Sequence, residues 1–212
     1  MKTLLLVGAT GLVGRSVLAQ ALNDPRVARL VAPTRRPLPA HPRLENPLVD
    51  FAALPADAAW WAADGVICTL GTTIRKAGSQ AAFRAVDRDY PLAVATLARR
   101  HGARAFALTS SVGADPRARS FYLRTKGEAE RAVAEVGYPS LTIVRPSVIG
   151  GDRTEHRPLE ALAVALLRGI GPLVPRRIGS CPRSASPVRS SKRPWRRPRA
   201  NMSWSPRRAT AV

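Results

Sequence analysis

Three glycines, spaced Gly8-x-x-Gly11-x-x-Gly14, stand where one apolar run ends and another begins, and no other feature restricts the fold as tightly. Residues 3–7 are apolar and β-rich, as a buried strand requires. Residues 12–22 carry helical periodicity, closed by Asn23, Asp24 and Pro25. A strand that passes directly into a helix needs a tight turn, which Gly8 permits. Gly11 lets the backbone approach an anionic group closely, and Gly14 lets the helix pack against the strand. The helix N-terminus then presents unpaired N–H groups and a partial positive charge over the turn. A strand–turn–helix of this kind is suited to a pyrophosphate, so Gly8, Thr10, Gly11, Leu12, Val13 and Gly14 are candidate cofactor-binding residues.

The alternation continues down the chain. Residues 28–32 read as a second strand and 33–42 as a proline-rich connection. A weak third strand over 47–49 leads into Asp50 and Phe51. Residues 65–70 are apolar throughout, as an interior parallel strand should be. A long helix over 79–101 carries Pro91 at a kink or a boundary between two helices. A fifth strand (105–109), a helix over 118–136 stopped by Gly137, a sixth strand (141–144) and a helix over 158–167 complete the pattern. Strands alternating with helices predict an α/β fold with a doubly wound parallel sheet.

At the end of the second strand a dinucleotide site usually places a carboxylate for the ribose hydroxyls. Here the chain reads Val31-Ala32-Pro33-Thr34-Arg35-Arg36, with no acid. Arg35 or Arg36 would instead pair a 2′-phosphate, which favours NADP(H) and leaves NAD(H) as the alternative. Asp50 and Phe51 would flank the adenine. Further along, Tyr122 and Lys126 are four residues apart and so share one helix face. A cation near a phenol favours the phenolate, and such a tyrosine can exchange a proton with a carbonyl or alcohol oxygen. Ser110 and Ser111, at the end of the fifth strand, would polarise the same oxygen. Cys68 reads as a core residue, Trp60 and Trp61 as helix-to-sheet packing, and no histidine has metal-ligand spacing.

Taken in order, GATGLVG (8–14), CTLGTT (68–73), VDRDY (86–90), TSSVGAD (109–115), YLRTKGEAE (122–130) and IVRPSVIGGDR (143–153) resemble the atypical short-chain dehydrogenases, and within them the Tat-interacting-protein type of oxidoreductase. The resemblance covers roughly residues 1–175. It implies a Rossmann domain that binds NADP(H), with a Ser-Tyr-Lys site at Ser111, Tyr122 and Lys126. It also implies that Thr69, Leu70 and Gly71 line the cofactor, that Lys126 touches it, and that Arg145, Pro146 and Ser147 lie near the nicotinamide. Members of this group include regulators and partner-binding proteins as well as enzymes, so a non-catalytic NADPH-binding regulator is the alternative function.

The formal charge of +20 is unevenly spread. Of the 34 basic residues, 11 lie from Arg176 onward, and the last acid is Glu160, which leaves about +9 on residues 1–175. Residues 176–212 are rich in Pro, Ser and Arg without apolar periodicity, and they are expected to be a disordered tail. One reading makes the tail a nucleic-acid-binding arm in which Trp195 and Trp204 stack on bases. The preferred reading is a frame-shifted stretch of a GC-rich gene: GC-rich back-translation read from the third base of the Cys181 codon yields an amphipathic helix, a Pro-Gly turn and a strand. Nucleic acid is therefore not the expected partner; a small carbonyl or alcohol substrate is, and a homodimer is allowed. No apolar run approaches the roughly 18 residues a membrane span needs. The short apolar opening lacks a cleavage site, and two cysteines make no disulfide framework. The expected location is the cytoplasm.

Overall fold

The computed structural model describes residues 1–146 and 157–170. Within them six strands form one parallel sheet: β1 (Lys2–Val7), β2 (Val27–Val31), β3 (Leu44–Glu45), β4 (Gly65–Cys68), β5 (Ala105–Thr109) and β6 (Ser140–Val144). Their spatial order is β3-β2-β1-β4-β5-β6, so the winding reverses between β1 and β4. That is the doubly wound order, and its crevice opens outside the carboxyl ends of those two strands. The glycine turn lies there.

Alternation along the strands sends side chains to two separate cores. On one face Leu5, Val7, Val66, Cys68 and Phe106 pack with Val94, Ala95 and Ala98 of α4 (Tyr90–Arg100) and Val133 of α5 (Phe121–Glu135). On the other, Leu4, Leu6, Leu30 and Ile67 meet Val17 and Ala21 of α1 (Leu12–Asn23) and Leu162, Ala163 and Leu166 of α6 (Arg157–Gly169). A central strand with both faces covered has no polar position to spare, which explains the unbroken apolar reading of β1 and β4.

Two expectations need correction. The third strand is Leu44–Glu45, not 47–49, and Leu48 makes only an isolated bridge to Thr34. The side chain of Asn46 intervenes: its amide donates to the Ala32 carbonyl at 2.5 Å and to Thr34 Oγ1 at 2.8 Å, and its oxygen accepts the Leu38 N–H at 2.7 Å. Backbone pairing resumes at Thr34, which donates to the Pro47 carbonyl and accepts from the Val49 N–H; the Asn46 amide stands in for the donor that Pro47 lacks and closes the loop that carries the arginines. β4 ends at Cys68 rather than residue 70, releasing Thr69 to Gly71 into the crevice. The long helix runs without a break over residues 80–100, as expected, in three segments: α3 (Gln80–Arg84), a π-helical turn over Ala85–Asp89, and α4. Pro91 follows directly on the π turn, the irregularity at which a proline without an N–H is accommodated inside a continuing helix. A short helix, α2 (Ile74–Ala77), capped by the Thr73 hydroxyl, precedes them and was not foreseen. Trp61 is buried in a single 3-10 turn, Ala59–Trp61, and donates its indole N–H to the Pro55 carbonyl at 2.7 Å. Ser147 and every expectation about the 176–212 tail lie outside the described residues.

Candidate functional site

The glycine turn has the geometry its spacing predicts. Gly8 holds φ +91°, and a Cβ there would stand 2.7 Å from the Thr69 backbone. Its carbonyl accepts the Gly11 N–H at 2.9 Å, which closes the turn and makes Gly11 the N-cap of α1. A Cβ on Gly14 would stand 2.0 Å from that same carbonyl oxygen, so only glycine lets α1 rest this closely on β1. Gly11 is different. It is exposed, and the nearest atom to a Cβ there is the Gly8 oxygen at 3.3 Å, so the bare peptide surface faces the crevice. A pyrophosphate fits such a surface.

Two adjoining cavities make up the crevice. One, of about 470 Å³, is lined by Gly8, Thr10, Pro33, Thr34, Arg35, Arg36, Asp50, Phe51, Leu70 and Tyr90 among others. The second, of about 490 Å³, is lined by Gly11, Thr69, Gly71, Thr72 and Lys76 among others and shares Gly8, Thr10, Arg35, Leu70 and Val86 with the first. The arginines and the Asp50–Phe51 pair thus stand at one end, and the turn with the post-β4 loop at the other. Leu12 and Val13 begin α1 and line neither cavity; Leu12 is exposed and Val13 packs on the core. A larger cavity of about 690 Å³ lies between α1 and α6, beside Asn23 and Arg168, and contains none of these residues.

The Ser-Tyr-Lys residues are placed by β5 and α5. Ser110 and Ser111 follow β5 and are buried, and the Ser110 hydroxyl has no hydrogen-bond partner among the described residues. The Ser111 hydroxyl points back to the Val112 carbonyl at 3.3 Å. Tyr122 sits in the first turn of α5, its ring 5.7 Å from that of Phe83. The Lys126 ammonium is paired with Asp87, Nζ to Oδ1 2.7 Å, a partner that the Tyr122–Lys126 spacing does not announce. Both side chains are buried, 8% and 0% exposed. Burial pushes the Asp87 carboxyl above the usual carboxylate range, against the pull of the Lys126 ammonium. Arg145 turns to Glu130 of α5, with Nε to Oε1 at 2.9 Å, and lines neither crevice cavity. Pro146 accepts the Val112 N–H at 3.1 Å and so fixes the loop after Ser111.

Asp87, Asn46 and Lys76 are the residues a reading of the chain passed over. Asp87 had a usable signal, because Phe83, Asp87 and Val94 fall on one helical face and an acid on an apolar face must have a partner. Gly127 also matters locally. A Cβ there would stand 2.3 Å from the Asp115 and Pro116 backbone, so α5 carries Lys126 right up to the loop after β5.

Residues 8–163 match a family model described as NAD(P)H-binding. The chain belongs to that family. Protein HTATIP2 of Rattus norvegicus is 39% identical over 167 residues, covering 76% of this chain and 69% of its own. The mitochondrial protein fmp52 of Emericella nidulans is 35% identical over 173 residues, covering 77% and 73%. Among solved structures, a putative NAD-dependent epimerase/dehydratase from Bacillus halodurans aligns with TM-score 0.60 at 19% identity, covering 80% of this chain and 89% of its own. The Bordetella bronchiseptica enzyme WbmH, in complex with NAD+, aligns with TM-score 0.61 at 17% identity, covering 81% and 73%. The chain spans about half of MoeE5, whose complex with UDP-glucuronic acid and NAD aligns at TM-score 0.58, with 22% identity over 68% of this chain. These neighbours share the Rossmann fold, and the NAD(P)H-binding family supplies the oxidoreductase-like character of the domain. The fungal relatives also overturn the expected cytoplasmic location, since several are named mitochondrial. The physical reason is plain: a buried Cys68, free among the described residues, suits any reducing compartment and does not single out the cytoplasm.

Proposed function

We propose that the protein is an NADP(H)-preferring oxidoreductase of the short-chain dehydrogenase type, acting on a small carbonyl or alcohol with Tyr122 exchanging the proton at the substrate oxygen. One observation carries this reading. The crevice runs from the exposed Arg35 and Arg36 across the Gly8–Gly11 turn to Gly71, where a Cβ would stand 3.7 Å from Lys126 Nζ. Arg35 or Arg36 would pair the 2′-phosphate, Gly11 would seat the pyrophosphate, and Asp50 with Phe51 would border the adenine. When bound, the nicotinamide supplies or accepts the hydride. Tyr122 gives or takes the proton, Lys126 contributes positive charge beside it, and the Ser110 hydroxyl, unpartnered among the described residues, holds the reacting oxygen with Ser111.

A second reading, a non-catalytic NADPH-binding regulator, is favoured by the commitment of the Lys126 ammonium to Asp87. Thermal shift and turnover together decide between them. NADPH should raise the unfolding midpoint more than NADH does, and replacing both arginines (Arg35→Ala with Arg36→Ala) should erase that difference while keeping the NADH shift. Tyr122→Phe should abolish carbonyl reduction and keep the NADPH shift. Equal shifts from the two cofactors refute the NADP preference, and turnover surviving in Tyr122→Phe refutes the proton role.

A further inference from the structure

Asp87 is given no role toward cofactor or substrate above, yet it is more deeply buried than Lys126 or Glu130, the other buried charged residues among those described. It lies in the π-helical turn Ala85–Asp89, a local irregularity between α3 and α4 of the kind often found at functional sites. Its two oxygens serve two different elements. Oδ1 is 2.7 Å from the Lys126 ammonium on α5, and Oδ2 accepts the Thr72 N–H at 2.8 Å. Thr72 follows Gly71 in the loop that lines the crevice. A Cβ on Gly71 would stand 3.5 Å from Asp87 Oδ1 and 3.7 Å from Lys126 Nζ, so the charged pair lies directly behind the crevice wall.

Stability is a poor reason to keep such a pair. Removing two charges from water offsets most of their attraction, and apolar side chains would fill the same space at least as well. What a carboxylate adds is a fixed address for the ammonium. Lysine has a flexible four-carbon stem and a point charge, and in a dry pocket its position is set by whatever anion it meets. We propose that Asp87 is a positioning residue: it fixes Lys126 Nζ behind Gly71 and ties α5 to the crevice loop through Thr72. Lys126 then meets a bound dinucleotide in one arrangement. This rests on the reading that Lys126 contacts the cofactor.

A double-mutant cycle on the full chain tests it, with NADPH as the probe and its dissociation constant read from tryptophan fluorescence. Asp87→Asn keeps an oxygen for the Thr72 N–H and removes the charge. It should weaken NADPH binding about tenfold in the wild-type background and by no more than about twofold in the Lys126→Met background. Equal weakening in both backgrounds would mean a merely structural role and overturn the proposal. If Lys126→Met weakens binding and Asp87→Asn does not, the proposal fails while the Lys126 reading stands. If Lys126→Met binds NADPH like wild type, the Lys126 reading fails and takes the proposal with it. Should Asp87→Asn not fold, Asp87→Glu carries the same cycle: it keeps the charge, displaces it by one methylene, and should weaken binding only where Lys126 is present.

Discussion

Adding one methyl group at Gly14 should open the contact between α1 and the turn after β1. The new Cβ would stand 2.0 Å from the Gly8 oxygen, 2.7 Å from the Gly8 carbonyl carbon and 2.9 Å from the Ala9 Cα. All three are backbone atoms, so no rotamer change relieves them. The helix must move outward by roughly 1 Å or more before ordinary contact distance returns. That movement lifts Val17 and Ala21, both fully buried, away from the sheet. Overpacking of this kind costs about 1–3 kcal/mol. Exchanging a helical glycine for alanine returns at most about 1 kcal/mol, and less in a first turn. A net loss of about 2 kcal/mol should lower the unfolding midpoint by about 4–8 °C in a domain of this size. Gly11→Ala is the control. Its Cβ would meet only the Gly8 oxygen at 3.3 Å, so the midpoint should stay within about 2 °C of wild type. Its methyl group, however, would stand where a phosphate approaches, and NADPH affinity should fall by about an order of magnitude. Differential scanning fluorimetry and a cofactor titration read both variants. A wild-type midpoint for Gly14→Ala refutes the packing argument, and wild-type NADPH affinity for Gly11→Ala refutes the turn as the pyrophosphate seat.

Two further outcomes follow from individual side chains. Because burial raises the Asp87 carboxyl above its unfolded value of about 3.9, the folded chain holds the extra proton between that value and its own higher one. This contribution to stability is therefore fully present below about pH 4 and is lost as pH rises through the folded value; the stability of wild type relative to Asp87→Asn, from urea unfolding at successive pH values, should decline over that window. Asn46→Ala removes three hydrogen bonds that close the arginine loop and should cost about 2 kcal/mol. By loosening Arg35 and Arg36 it should weaken NADPH binding more than NADH binding, and equal losses for the two cofactors would separate Asn46 from the 2′-phosphate site.

What could be read from the chain alone divides along a physical line. Signals carried by neighbours in sequence survive intact: β5 occupies residues 105–109 as expected, and α5 ends just ahead of Gly137. The glycine turn is legible for the same reason, since its constraint is a backbone torsion at Gly8 and a contact between residues six apart. Misreadings arise where a side chain takes the place of backbone pairing or where a partner is distant. The ladder of β3 stops at Glu45 because Pro47 has no N–H for the Ala32 carbonyl; the proline announces the gap, but nothing announces that the Asn46 amide fills it. The spacing of Tyr122 and Lys126 says that they share a helix face, but it does not say which anion the ammonium meets. That is settled by Asp87, 39 residues earlier, whose π-helical turn lies within what reads as one long helix. The irregularity in the helix and the pairing of the lysine share one element, because the π turn carries the acid to which both Lys126 and Thr72 attach. An acid on an apolar helix face is thus the sequence sign that the face ends at a charged site. In this chain it points to the lysine that the Tyr-x-x-x-Lys spacing assigned to the phenol.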